Sequence, residues 1–241
     1  MVSQRDVSGN PQIKLGDSPR SVTVNPNTNA IYVANRESHT ISLIDGNSGN
    51  VTEIPLSGDY SHIVVNPTTN KLYVANMGAQ TISIIDGNSG NVTEIPLGLE
   101  PTSLAISPTT NKIYIGDRNE DNVVMFDGRN NLKVKVIPVG DSPRSIAVNP
   151  NPNTNMVYVA NSDSNAVSVI DGNNNTKLKD IPVEESPVFI VAHPDPEIQK
   201  LYVANSGSDT ITIYEEGTTT NIPVGGILHP YLLILIRTKF M

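Results

Sequence analysis

The sequence predicts an all-β fold: a β-propeller of four-stranded antiparallel blades, with five full repeats plus an incomplete extra blade at the termini. Three observations predict it. Tyr-Val-Ala-Asn recurs at residues 32–35, 73–76, 158–161 and 202–205, with a degenerate Tyr-Ile-Gly-Asp at 114–117, so the tyrosines fall 41, 41, 44 and 44 residues apart. The segment IDGNSGNVTEIPL at 44–56 returns residue for residue at 85–97. The segments between turns alternate with period two, and none shows a helical period. A fixed repeat of about 40 residues marks a propeller or solenoid and argues against a fold built around one catalytic core.

Within the first repeat, residues 21–24, 31–35, 40–45 and 51–56 are short β-branched runs separated by turn formers, which makes four strands. The first connection places proline after a strand among Asn and Thr, and Asn66-Pro67, Ser107-Pro108, Asn149-Pro150 and His193-Pro194 repeat it. The third connection carries Asp45-Gly46, Asp86-Gly87, Asp127-Gly128 and Asp171-Gly172, a hairpin signal. The fourth strand holds Pro55, Pro96, Pro138, Pro182 or Pro223, and proline lacks the N–H that a central strand needs, so this strand is the outer edge. The first strand reads as the most uniformly apolar (Ile63-Val64-Val65, Leu104-Ala105-Ile106, Ile146-Ala147-Val148), which suits burial on both faces around an axis.

Composition bounds the function. The formal charge of −8 without a Lys/Arg cluster makes nucleic acid and anionic membranes poor partners and favours cationic or neutral ligands. The absence of cysteine excludes disulfides, thiolate catalysis and Cys-ligated zinc. The longest apolar run, 231–236 with Ile227 and Leu228 nearby, is far short of the roughly 20 residues of a membrane helix. The expected organisation is an N-terminal extension at 1–12, a propeller at 13–225 and an atypical tail with one apolar strand at 226–241. Residues 13–16 read as a lone outer strand and 229–236 as a lone inner strand. Neither would stay as an unpaired apolar edge: within one chain the two could build an incomplete sixth blade or one could close a five-blade ring, and between chains they could be exchanged, so that a homo-oligomer through the terminal strands is the favoured expectation.

The combination I-P-[VL]-G-x-x-P, [VI]-x-x-x-P, Y-V-A-N and [TA]-[IV]-S-[LV]-I-D-G resembles the YVTN repeat of β-propellers over residues 13–225. That family is similar across archaeal surface-layer and other cell-surface proteins, secreted propellers, and a few enzymes such as streptogramin lyases and lactonase-like proteins. The resemblance implies a non-enzymatic binding or structural module, extracellular or at the cell surface, with a protein or carbohydrate partner. The alternative it implies is a metal-assisted lyase or lactonase-like hydrolase.

The resemblance also implies that ligands bind where outer strands lead into the next inner strands, at 16–20, 58–62, 99–103, 141–145 and 184–188. These loops carry Asp17, Asp59, Glu100, Asp141, and Glu184 with Glu185. Carboxylates gathered at one mouth would focus negative potential and could hold Ca²⁺ or Mg²⁺. Solvated turn chemistry is the plainer account of the same residues. Arg20 and Arg144 sit among them, and His62 occupies the repeat position of Ser21, Ser103 and Ser145. A catalytic reading would make His62 a general acid/base with Glu100 and a divalent ion. His39 and His193 fall in turns. The Asp-Gly-Asn-Ser-Gly loops lack the sixth-place glycine and twelfth-place glutamate of a calcium loop and read as turns. The Asn of each Tyr-Val-Ala-Asn reads as a strand-end residue bonding loop backbone. Asn50-Val-Thr52, Asn91-Val-Thr93 and Asn174-Asn-Thr176 are glycosylation acceptor motifs in the third connection, on the face opposite the ligand loops.

Overall fold

The structure, a computed structural model, describes residues 4–5, 11–56, 58–149, 151, 153–195 and 197–225. All its regular elements are strands. A short antiparallel pair, β1 (Gln4–Arg5) and β2 (Pro11–Gln12), precedes five four-stranded sheets. Blade one is β3 (Pro19–Asn25), β4 (Ala30–Asn35), β5 (Thr40–Asp45) and β6 (Val51–Pro55); blade two is β7 (Tyr60–Asn66), β8 (Lys71–Asn76), β9 (Thr81–Asp86) and β10 (Val92–Pro96). Blade three is β11 (Pro101–Ser107), β12 (Lys112–Asp117), β13 (Asn122–Asp127) and β14 (Leu132–Pro138); blade four is β15 (Pro143–Val148), β16 (Met156–Asn161), β17 (Ala166–Asp171) and β18 (Thr176–Pro182). Blade five is β19 (Pro187–Ala192), β20 (Lys200–Asn205), β21 (Thr210–Glu215) and β22 (Thr218–Pro223). Each sheet is an antiparallel meander in chain order, the architecture of propeller blades.

The chain divides into two compact units, Met1–Glu100 with blades one and two, and Pro101–Met241 with blades three to five. Inside the first unit β3 lies along β7; inside the second β11 lies along β15, and β15 along β19. First strands are therefore inner and fourth strands outer. Pro55, Pro96, Pro138, Pro182 and Pro223 all end fourth strands, opposite Thr40, Thr81, Asn122, Ala166 and Thr210, where a missing N–H costs no ladder bond.

The turns explain the abundance of asparagine. Asn29, Asn70, Asn111 and Asn155 close the first connection with positive φ (54°, 52°, 55° and 43°), a region in which Asn is tolerated better than most side chains. In the third connection of blade one, the Asp45 carboxylate accepts the Asn47 N–H at 2.8 Å and Gly49 takes the positive φ, so Asp-Gly does not form a two-residue hairpin turn. Gly46 is required for a different reason: a Cβ there would sit 2.5 Å from the Asn29 carbonyl oxygen.

Blades pack face to face within each unit. In the first, Tyr32, Ala34 and Ile41 meet Tyr60, Ile63, Val65 and Leu72. In the second, Tyr114, Val123 and Met125 meet Ile146 and Val159, and Tyr158, Val167 and Val169 meet Ile190 and Leu201. Fully burying each aliphatic side chain contributes about 1.5–3 kcal/mol. The second strand is the most completely buried, not the first as the apolar runs implied. The first strand has its central positions covered in blades two to five, but in blade one Val22 and Val24 are half exposed where Ile63 and Val65 of blade two are buried. Residues 13–16, read as an outer strand, run unpaired into β3; the expected inner strand at 229–236 lies outside the described residues.

Candidate functional site

The loops from a fourth strand into the next first strand lie at the same end of each blade as the turns joining second and third strands. The sequence-predicted site residues all fall at this end. They do not form one set of equivalent positions. Ser18, Ser142 and Ser186 have positive φ, and their carbonyls accept the N–H of Arg36, Ser162 and Ser206; the Asp59 carbonyl accepts the Met77 N–H in the same way. Asp59 is thus the counterpart of the serines, and Asp17, Asp141 and Glu185 lie one residue earlier, at the position of Gly58. The distance to the following Pro19, Tyr60, Pro101, Pro143 or Pro187 carries this offset in the sequence.

The acids also differ in what they touch. The Asp59 carboxylate is held by the Arg36 guanidinium, at 2.5 Å from Nε and 2.7 Å from Nη2. Asp17 and Asp141 are exposed, and their backbone N–H groups donate to Ser38 Oγ (3.1 Å) and Ser164 Oγ (2.6 Å). Glu185 is exposed and Glu100 half-buried. Among the described residues, no group of three or more His, Asp or Glu side chains is placed to hold a metal ion.

Every inner strand carries a register shift after its first residue, which sets off Arg20, Ser61, Thr102, Arg144 and Val188 from the ladder. A bulge re-aims the side chain it frees. The residue at this position varies, Arg in blades one and four and Ser, Thr and Val in the others, while the scaffold around it repeats. The Thr102 hydroxyl donates to the Pro143 carbonyl at 3.0 Å. His62, the next residue on β7, is half-buried, and burial pushes its pKa down to about 4, so its imidazole is neutral at pH 7.

Beneath this end lies a repeated polar chain. Asn35 Nδ2 donates to Ser42 Oγ at 2.7 Å, and Ser42 Oγ donates to Glu53 Oε1 at 2.6 Å. Blade four repeats it through Asn161, Ser168 and Asp180 (2.9 and 2.7 Å), and blade five through Asn205, Thr212 and Asn221 (2.8 and 2.8 Å). Asn76 and Ser83 do the same at 2.7 Å, with Glu94 at 3.5 Å. The recurring Asn therefore binds third-strand hydroxyls, not loop backbone as the motif suggested. Blade three breaks the pattern with Asp117, Val124 and Val136. Its Gly116 leaves no room for a Cβ, which would meet Ser103 Oγ at 2.5 Å.

Arg118 follows Asp117 at the same end of blade three, as Arg36 follows Asn35 in blade one. Arg36 of blade one reaches a carboxylate in the following loop; among the described residues the equivalent Arg118 bonds to the Ser142 hydroxyl, at 3.4 Å. Among the described residues Arg144 has no carboxylate within ion-pair distance, and its pKa is lowered by burial, then by the neighbouring Arg118 charge, against a smaller opposing effect of Asp163. Asp163 accepts from the Ser142 and Ser162 hydroxyls at 2.8 and 2.9 Å, and these bonds first, with both arginines behind them, hold its carboxyl below the usual range. Ser142 N–H donates to Asp121 Oδ1 at 2.8 Å. The result is two adjoining guanidinium groups beside carboxylates already occupied by hydroxyl and amide donors.

Blades of this kind, with an inner-strand mouth of variable side chains on a repeated frame, define a β-propeller protein. The chain belongs to the family described as lactonase, 7-bladed beta-propeller, which matches residues 62–192, more than half its length. No curated protein sequence matches it. Among solved structures it is similar to the hydrazine synthase of Kuenenia stuttgartiensis (20% identity, 92% of this chain and 70% of that one, TM-score 0.75). It is also similar to virginiamycin B lyase from Staphylococcus aureus (16%, 87% and 71%, TM-score 0.74) and to a functionally unknown protein from Desulfotomaculum acetoxidans (16%, 90% and 74%, TM-score 0.77). At these identities the likeness is one of fold.

Proposed function

We propose that the chain is a non-enzymatic, extracellular or cell-surface propeller that binds a protein or carbohydrate partner at the mouth end of its blades. The Tyr-Val-Ala-Asn repeats, similar to the YVTN propellers of surface-layer proteins, support the location. The observation that carries the binding reading is the pair Arg118 and Arg144. Where unit one closes the equivalent position with an Arg36–Asp59 ion pair, unit two leaves two guanidinium groups with no carboxylate of their own among the described residues. A guanidinium fork suits a carboxylate, and a small cationic spot on a chain of net charge −8 suits a single acidic group better than a polyanion. The partner's contact is then a uronic-acid sugar or an acidic side chain.

A glycan array of neutral and uronic-acid oligosaccharides, followed by titration calorimetry, tests this. Acidic members should bind, and Arg118→Ala with Arg144→Ala should weaken them by about tenfold or more, the scale of one lost charged hydrogen bond. Binding indifferent to both arginines would refute it. The family match favours a second reading, hydrolysis of a lactone with neutral His62 as general base. The same preparation assayed on a lactone panel decides between them: turnover abolished by His62→Ala would make the protein a hydrolase.

A further inference from the structure

The three Asn-x-Thr motifs are not equivalent in the fold. Asn50 and Asn91 stand at the entry of β6 and β10, the outer-edge strands of their sheets among the described residues. Their backbones are fixed: the Asn50 and Asn91 carbonyls accept the N–H groups of Asp45 and Asp86 at 2.9 and 3.0 Å, and their own N–H groups donate to Ser48 and Ser89 Oγ at 3.3 Å. Their side-chain amides are exposed and make no hydrogen bond among the described residues. Thr52 and Thr93, two residues on, are exposed and extended in the strand, opposite Leu43 and Ile84. Acceptor amide and hydroxyl are thus presented together at a sheet edge.

Asn174 is also exposed and its Thr176 opens an outer strand, but its amide and its turn are held differently. Its Nδ2 donates to Asp171 Oδ2 at 2.7 Å, and its middle residue, Asn175, is turned to φ 55°. The motif is folded into the turn, and its amide hydrogen is already shared with a carboxylate.

We propose that Asn50 and Asn91 are a pair of N-glycosylation acceptors, and that Asn174 is not one. The donor is an oligosaccharide linked through phosphate to a polyprenyl lipid. The amide Nδ2 forms a bond to the sugar's anomeric carbon, the bond from that carbon to the phosphate oxygen breaks, the lipid phosphate leaves, and the amide gives up one proton. Both acceptors lie in the connection between third and fourth strands, at the blade end away from Arg20 and His62, so two glycans on adjacent blades leave the mouth end of that unit open. Use of the sites rests on the extracellular reading above.

The test forces export, which separates failure of this proposal from failure of that reading. The full chain is secreted from a host that N-glycosylates exported proteins, and its intact mass and glycopeptides are measured before and after peptide N-glycosidase. The expected product carries two glycans. Asn50→Gln or Asn91→Gln each removes one, and Asn174→Gln changes nothing. Asp171→Ala, which frees the Asn174 amide, should raise modification at Asn174, a change that a merely unused motif would not show. A secreted, folded chain without glycan at Asn50 and Asn91, or with Asn174 modified as fully as they are, overturns the proposal.

Discussion

His62 is the residue whose environment most alters its chemistry. Its imidazole has an ordinary pKa of 6.5, and the folded chain pushes it down to about 4 through burial. A depressed histidine favours the folded state above its unfolded pKa. As pH falls below 6.5 the unfolded chain takes up a proton that the folded chain refuses, and this difference is complete once the folded form protonates near 4. The lost stability is on the order of 2–3 kcal/mol. We expect the thermal midpoint of the protein to drop between pH 6.5 and 4 by more than that of His62→Gln, whose profile lacks this step. Parallel profiles over that window would mean that the ring meets solvent in both states. The arginines follow the opposite logic: Arg144 keeps its charge throughout, so its influence is set by what stands beside it.

At the scale of the element, the blade is held by a polar chain that crosses three strands. Asn161 is wholly buried, and its amide links β16 to β17 through Ser168, which passes the bond to Asp180 on β18. Ser168 Oγ also accepts the Gly140 N–H at 3.2 Å, tying the incoming loop to the blade. Removing one partner leaves buried polar groups with fewer bonds, at a cost of about 1–3 kcal/mol. Asn161→Ala should therefore lower the urea midpoint of the protein, and Asn76→Ala and Asn205→Ala should do so by similar amounts. A variant as stable as the parent would show that the chain is not what joins the strands. Blade three supplies the natural contrast. It replaces the Ser and acid positions by Val124 and Val136 together, which removes donor and acceptor at once and leaves nothing orphaned.

For the whole molecule, charge is the governing quantity. Sixteen basic residues stand against 24 acidic ones, for a net charge of −8 and a pI near 4.9. The sequence holds no run of Lys and Arg that would make a basic stripe. Retention on an anion exchanger at pH 7, no retention on immobilised heparin, and a solubility minimum near the pI are the expected behaviours. Tight heparin binding at physiological salt would show that local cations outweigh the global field.

The repeat, the four strands of each blade, their order from inner to outer and the outer-edge prolines were all legible in the sequence. Period-two alternation, turn residues and a missing proline N–H are local properties, and a chain that copies them five times states them five times. The approximate address of the site was legible for the same reason, since the loops that carry Asp17, Arg20, Asp59, His62, Glu100, Asp141, Arg144 and Glu185 recur with the period. What those side chains do was decided by tertiary structure. Asp59 is neutralised by Arg36 from the preceding blade, and Arg118 is left to a serine. The Tyr-Val-Ala-Asn amide turns inward to hydroxyls, and Asn174 closes on Asp171 while Asn50 and Asn91 stay open. Each of these turns on which side chain of another strand, turn or blade arrives within about 3 Å, and hydrogen-bond distance is a property of three-dimensional neighbours that a one-dimensional period does not contain.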